Sequence, residues 1–197
     1  MFVELDKAGN SNTSERIDLL QKFDKVFGFH RIKSLMADRE FIGQKWFQML
    51  EEHSIPYYIR MKDNTLLPWG AEPIHARNFF HHLMPKQVRL VEKQMYGATV
   101  YFAGTRSKAG DLVIIMTNQK VSAEKILSRY RNRWSIEELF KKLKTSGFNW
   151  ENTHMKKSER LVSLLIILGF ALLIAFLMGQ RDKIPWKKTL GYPLLKN

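Results

Sequence analysis

After the polar run GNSNTSE, apolar residues recur at Ile17, Leu19, Leu20, Phe23, Val26 and Phe27. That spacing predicts an amphipathic helix. Asn12 or Thr13 is placed to cap it, and Glu15 supplies an acid for its first turn. Upstream, Phe2 to Leu5 reads as the end of a strand. Downstream, Ile32 to Ala37 reads as a strand that leaves Asp38 at its C-terminal end. Phe41 to His53 predicts a second helix with Ile42, Trp46, Met49 and Leu50 on its apolar side. IPYYIRM, Ile55 to Met61, predicts a further strand. An order of strand, helix and strand is α/β in character.

From about Asp63 the texture changes. Pro68, Gly70 and Pro73 punctuate the chain, and short β-like runs follow at Gln87 to Gln94, Ala98 to Ala103 and Leu112 to Thr117. Turn residues separate them at Tyr96–Gly97 and Ala109–Gly110–Asp111. This predicts a small, mostly β insertion over about Asp63 to Lys120. Helical texture resumes at Ser122 and runs to about Thr145, with a break at Gly147. Leu161 to Gln180 then carries twenty residues without a charge. A stretch of that length is able to span a bilayer. Lys156, Lys157 and Arg160 precede it, and Arg181 and Lys183 follow it. The other reading is a helix buried on all sides in a protein core.

Composition narrows the choice. A length of 197 residues with 45% hydrophobic content is enough for one packed domain with an inserted part. The formal net charge of +13 favours a polyanionic partner, because Lys and Arg release counterions when they meet phosphates. Nucleic acid is the first candidate and an anionic membrane surface the second. The absence of cysteine excludes disulfides, thiolate nucleophiles and Cys-ligated zinc. The opening MFVELDKAGNSN has no basic segment followed by an apolar one, so it is not a secretory signal.

The stretch with most chemistry is YRNRWSIEELFKKLK, Tyr130 to Lys144. On one continuous helix, Tyr130, Arg133, Glu137 and Lys144 would share an arc of roughly 60°. Ile136, Leu139, Phe140 and Leu143 would occupy the neighbouring face and dock on the core. A carboxylate among cations and a phenol suits a hard metal ion beside phosphate oxygens. Arg133 and Glu137 also form an i,i+4 pair of the ordinary solvated kind.

The spacing of Tyr130, Arg133, Glu137 and Lys144 resembles the YREK signature of bacterial DDE transposases of the insertion-sequence-four group. A four-point match arises by chance in roughly one chain of this length in a thousand. RYRNRWSIEELFKKLKTSGFNWENTH is similar to that family's segment around its third catalytic acid. LMADREFIGQKWF resembles the segment around the second, and LDKAGNSNTSERIDLL the stretch between the first and second. The resemblance covers nearly the whole chain.

It implies a ribonuclease-H-like α/β fold, a mixed sheet with flanking helices. It implies Asp38 as the second catalytic and metal-binding carboxylate and Glu137 as the third. These lie 99 positions apart, a gap the family fills with a β insertion. Residues 1–62 would then form the first part of the catalytic core and 63–120 the insertion. Residues 121–197 would form the rest, with the acidic helix and a buried apolar helix. Tyr130, Arg133 and Lys144 would grip transposon-end DNA. The resemblance further implies two Mg²⁺ ions, with Mn²⁺ as a substitute, bridged by carboxylates. They serve the attack of water or a 3′-hydroxyl and the departure of the leaving oxygen. The implied partners are double-stranded DNA and a second copy in the full-length form, without a membrane. The implied location is the bacterial cytoplasm, at the nucleoid.

The chain departs from the pattern at its start. The family's first acid lies well upstream of a GNS-type turn, which here begins at Gly9. Asp6 enters that turn, and Asp18 and Asp24 fall on the predicted first helix, so none matches the first acid. The expectation is a truncated and inactive form that lacks the opening strands of the sheet. Against it stand a basic DNA-binding remnant that interferes with the full-length transposase, and a membrane-anchored basic protein. Glu40 reads as a helix-start acid. His81 and His82 read as loop residues, since adjacent side chains rarely share a metal. Arg60 and Lys62 fit either phosphate contacts or a solvated strand end. Of Trp46, Trp69, Trp134, Trp150 and Trp186 most are expected in the core, with Trp134 the first candidate to stack on a base.

Overall fold

Residues 11–144 and 157–181 are described in the computed structural model. The strand expected at 2–5 and the break at Gly147 lie outside them. The chain divides into two compact units, 1–135 and 136–197, each taken here by itself.

The first helix, α1 (Thr13–Phe27), starts where its cap signal places it. The Asn12 carboxamide accepts the Glu15 amide at 2.9 Å, and the Glu15 carboxylate accepts the Asn12 amide at 2.7 Å. This reciprocal pair satisfies two of the amides that every helix start leaves open. Its apolar stripe is only partly used. Ile17 and Leu20 pack against the core, while Leu19, Val26 and Phe27 stay exposed.

Next come β1 (Leu35–Ala37), α2 (Gln44–Glu52) and β2 (Tyr57–Met61). Helix α2 begins three residues later than expected, after Gly43. Glu40 therefore lies in the turn before the helix and not in its first turn. A two-stranded ribbon follows, β3 (Leu66–Leu67) with β4 (Ile74–His75), and then the short α3 (Ala76–Phe80). Three long strands come after it: β5 (Val88–Met95), β6 (Ala98–Arg106) and β7 (Leu112–Thr117). Tyr96 and Gly97 turn the β5–β6 hairpin with φ of 56° and 82°. Two consecutive positive φ values give a turn whose twist suits a two-residue hairpin.

The residues read as an insertion contribute three strands to the same sheet as β1 and β2. Its order is β1-β2-β7-β6-β5. β1 runs parallel to β2, and each remaining neighbour is antiparallel. The architecture is mixed α/β with helices on the sheet, as the fold expectation required.

Both faces of the sheet are covered. Tyr57, Ile59 and Met61 of β2 point with Phe102, Ile114 and Met116 toward Trp46, Phe47 and Leu50 of α2. Tyr58 points the other way with Tyr101, Ala103 and Ile115. There Ala123, Ile126 and Leu127 of α4 (Ala123–Arg131) cover it. A central strand buried on both sides needs apolar residues at successive positions, which explains the run in IPYYIRM.

The helical stretch from Ser122 to about Thr145 is not one helix. It divides into α4 and α5 (Trp134–Lys144). At Asn132 and Arg133 the amides bond back three residues, to the Arg129 and Tyr130 carbonyls. The Ser135 hydroxyl donates to the Asn132 carbonyl at 2.7 Å. Short polar side chains that bond the local backbone compete with helix continuation, and this one sits at the break.

In the second unit, α6 (Ser158–Arg181) carries the long apolar stretch. Leu168 is buried, but Ile167, Phe170, Ile174 and Met178 are all more than half exposed. A run without charges satisfies helix propensity whether or not partners cover it, so burial was not encoded in its composition. Ile136, Leu139 and Phe140 of α5 are likewise exposed. Among the described residues, no helix is long and apolar enough to cross a membrane.

A polar clasp ties the second helix to the sheet. Asn118 accepts the Tyr57 amide at 3.3 Å and donates to the Ile55 carbonyl at 3.1 Å. The Tyr57 hydroxyl donates to Glu51 of α2 at 2.8 Å. Replacing Asn118 by Ala leaves a partly buried carbonyl and amide unpaired. The expected loss is about 1–3 kcal/mol in urea unfolding, with an unchanged denaturant slope; a loss under about 0.5 kcal/mol would show the clasp to be slack.

Candidate active site

The register of the parallel pair decides where the acid goes. Ala37 stands opposite Ile59, so Asp38 follows level with Arg60 of β2. Side chains alternate along a strand. Met36 and Tyr58 lie on the face under α4. Asp38 and Arg60 have the same parity and continue that face beyond the last apolar contacts. A tight turn fixes the acid there. The Arg39 amide donates to the Asp38 carboxylate at 2.8 Å, and the Phe41 amide to the Asp38 carbonyl at 2.9 Å.

Helix α4 brings Tyr130 to the same place, packed against the face that holds Tyr58 and Ile115. The Tyr130 hydroxyl is shut off from solvent, with the Arg133 guanidinium as the donor beside it. Burial raises its pKa, and so does the negative charge of Asp38, while the guanidinium groups of Arg133 and Arg60 pull it down. Tyr130 thus feels one acid and two guanidinium groups. The Arg133 guanidinium carbon lies 5.7 Å from the Tyr130 ring centre. Arg129 donates to the Tyr58 hydroxyl and fastens α4 to the centre of the sheet.

Arg60 also borders an open cleft of about 430 Å³, shared with Arg39, Lys62, Asp63 and Asp111. Sequence reasoning had Arg60 and Lys62 as even alternatives between phosphate contact and solvated end. The structure places Arg60 beside the acid and the phenol.

Tyr130 ends α4, Arg133 lies in the following turn, and Glu137 and Lys144 lie on α5. The single helical arc expected for these four does not form, because the turn at Asn132–Arg133 interrupts it. Glu137 is half-buried in the first turns of α5, in the second unit. Lys144 closes α5, and its side chain lies outside the described residues.

A family described as transposase DDE domain matches residues 1–174. The chain belongs to this family. No curated protein matches it.

DDE transposases generally use divalent metal ions. Within the first unit of this transposase domain, Asp38 suits such an ion, being a half-exposed carboxylate at a strand end. Its neighbours Arg60, Arg133 and Tyr130 suit phosphate oxygens instead. Among the described residues, no group of three or more His, Asp and Glu side chains is gathered as a metal cage.

The remaining candidates sort by contact. His81 pairs with the Asn78 carbonyl and His82 with Arg89, as loop residues of the transposase domain. Trp46 is buried, but Trp69 and Trp134 are 57% and 53% exposed, so most of the described indoles are outside the core. Trp150 and Trp186 lie outside the described residues. Arg16, which spacing did not single out, reaches from α1 to the turn after Asp38.

The phenols give a pH prediction. The Tyr130 pKa lies above the ordinary 10.0, chiefly through burial, so the folded chain favours the neutral phenol. Its contribution is full below the unfolded value and is lost as pH rises through the folded one. Tyr57 and Tyr96 are shifted the same way. Tyr130→Phe should change neutral stability by no more than about 1 kcal/mol, because the buried hydroxyl takes its desolvation cost with it along with its contact to Arg133. It should also make the alkaline fall in stability shallower. Unfolding curves across the alkaline range check both; a steeper fall would contradict the assignment.

Proposed function

We propose that this chain derives its role from cut-and-paste DNA transposition, the metal-dependent cleavage and transfer of strands at transposon ends. The supporting observation is Asp38 at the end of β1, level with Arg60 of β2, with its charge felt by Tyr130, which also has Arg133 beside it, in a transposase DDE domain. The spacing of Tyr130, Arg133, Glu137 and Lys144 favours the insertion-sequence-four group.

In this reading Asp38 and Glu137 are the catalytic carboxylates and hold Mg²⁺, or Mn²⁺ in its place. When bound, the ions supply an activated oxygen nucleophile and stabilise the leaving oxygen. The chain's own residues bind and orient the strand. Arg133 and Lys144 neutralise phosphate charge, and Arg60 does so next to Asp38. Tyr130 presents a neutral phenol beside Arg133, able to donate one hydrogen bond to a phosphate oxygen. The net charge of +13 adds affinity of no sequence preference. Double-stranded DNA is the substrate, met at the nucleoid, and the full-length form works as a homodimer. In this reading the chain by itself binds DNA without cutting it. That state would let it interfere with a complete transposase.

Affinity for duplexes carrying the element's ends, measured against salt, tests the binding half. Arg133→Ala and Lys144→Ala should each weaken binding and reduce the salt slope by about 1. An unchanged slope removes those residues from the interface. Strand cleavage with Mg²⁺ or Mn²⁺ tests the other half. None is expected from the chain alone. Clear cleavage would overturn the inactive reading, and Asp38→Asn and Glu137→Gln would then have to abolish it.

A further inference from the structure

Arg16 is a charged side chain only 8% exposed, on a helix whose other cations face water. Each nitrogen of its guanidinium donates a hydrogen bond. Nε donates to the Ser11 hydroxyl at 3.0 Å, Nη2 to the Ser11 carbonyl, and Nη1 to the Glu40 carbonyl at 2.8 Å. Its central carbon lies 4.3 Å from the centre of the Phe41 ring. Burial lowers its pKa, and the charges of Glu40 and Glu15 oppose that shift. A buried cation is costly unless its donors are met, and here the acceptors are mainly backbone carbonyls.

Both residues it holds on the far side belong to the turn that aims Asp38. That turn comprises Asp38, Arg39, Glu40 and Phe41, closed by the Phe41 amide on the Asp38 carbonyl. The Arg39 amide fixes one carboxylate oxygen. Gripping residues 40 and 41 therefore limits how far the carboxylate can swing. The planar fork matters as much as the charge, since one edge meets Ser11 while the opposite donor meets Glu40.

We propose that Arg16 is a positioning residue for the Asp38 carboxylate, holding the 38–41 turn against the start of α1. This rests on the reading of Asp38 as a metal ligand. It adds a residue that touches neither metal nor DNA. Groups that orient a metal ligand typically change metal affinity by about 10–100-fold when removed.

The test compares Arg16→Lys, Arg16→Ala and the milder Ser11→Ala with Asn118→Ala, a change in a clasp away from the turn. Two readouts are taken on the full chain: amide hydrogen exchange without metal, and Mn²⁺ affinity by water proton relaxation. Arg16→Lys, which keeps the charge and loses the fork, should speed exchange at Arg39 and Phe41 by about tenfold while β2 and β7 amides hold their rates. Mn²⁺ affinity should fall about tenfold or more. Ser11→Ala should do the same to a smaller degree, and covers the case in which Arg16→Ala does not fold. Asn118→Ala should lower stability without a selective effect on either readout. Unchanged exchange at Arg39 and Phe41, or a uniform rise like that of Asn118→Ala, would overturn the proposal. So would a loosened turn with Mn²⁺ affinity intact. If Asp38→Asn leaves Mn²⁺ affinity unaltered, the metal-ligand reading of Asp38 falls instead, and exchange alone then judges whether Arg16 holds the turn.

Discussion

The parallel pairing of β1 with β2 is the constraint on which the site depends. Three residues of β1 are enough to set it, because Tyr57 to Met61 is locked from both sides. Ile59 and Tyr57 are sunk into the core beneath α2, and Tyr58 is sunk beneath α4. A shift of one residue in that pairing would send Asp38 to the opposite face, away from Tyr130 and Arg60. The acid owes its position to hydrophobic alternation in its neighbour strand more than to any contact of its own.

From that register the rest follows in layers. The apolar face of α4 sits on Ile115, Tyr101 and Tyr58, which carries Tyr130 to the end of the strand pair. Arg129 adds a directional bond to the same platform. The phenol arrives buried, in the company of one acid and two guanidinium groups. In the proposed reading the cations take phosphate oxygens and the strand-end carboxylate takes a metal ion.

Much of this was legible in the sequence. Asn12 and Glu15 announced the start of α1, the run Ile55 to Met61 announced a strand, and the strand read over Ile32 to Ala37 left Asp38 at its end. Turn residues at Tyr96–Gly97 marked the hairpin. What was not legible depended on contacts between distant segments. Helical periodicity carried the pattern straight through Asn132, where local bonds from Ser135 and the backbone break the helix. Composition marked Leu161 to Gln180 as apolar but did not say whether anything covers it, and most of its described side chains are exposed. Arg16 looked like any surface charge, because its partners Ser11, Glu40 and Phe41 are brought to it by the docking of α1 on the turn.

The central claim is that Asp38 and Glu137 act on the same metal ions. A double-mutant cycle on Mn²⁺ affinity addresses this most directly, using Asp38→Asn, Glu137→Gln and the two combined. Shared ions predict that each single change weakens binding and that the second adds little once the first is made, a coupling that independent sites do not show. Losses that simply add, or an affinity indifferent to either carboxylate, would contradict the account.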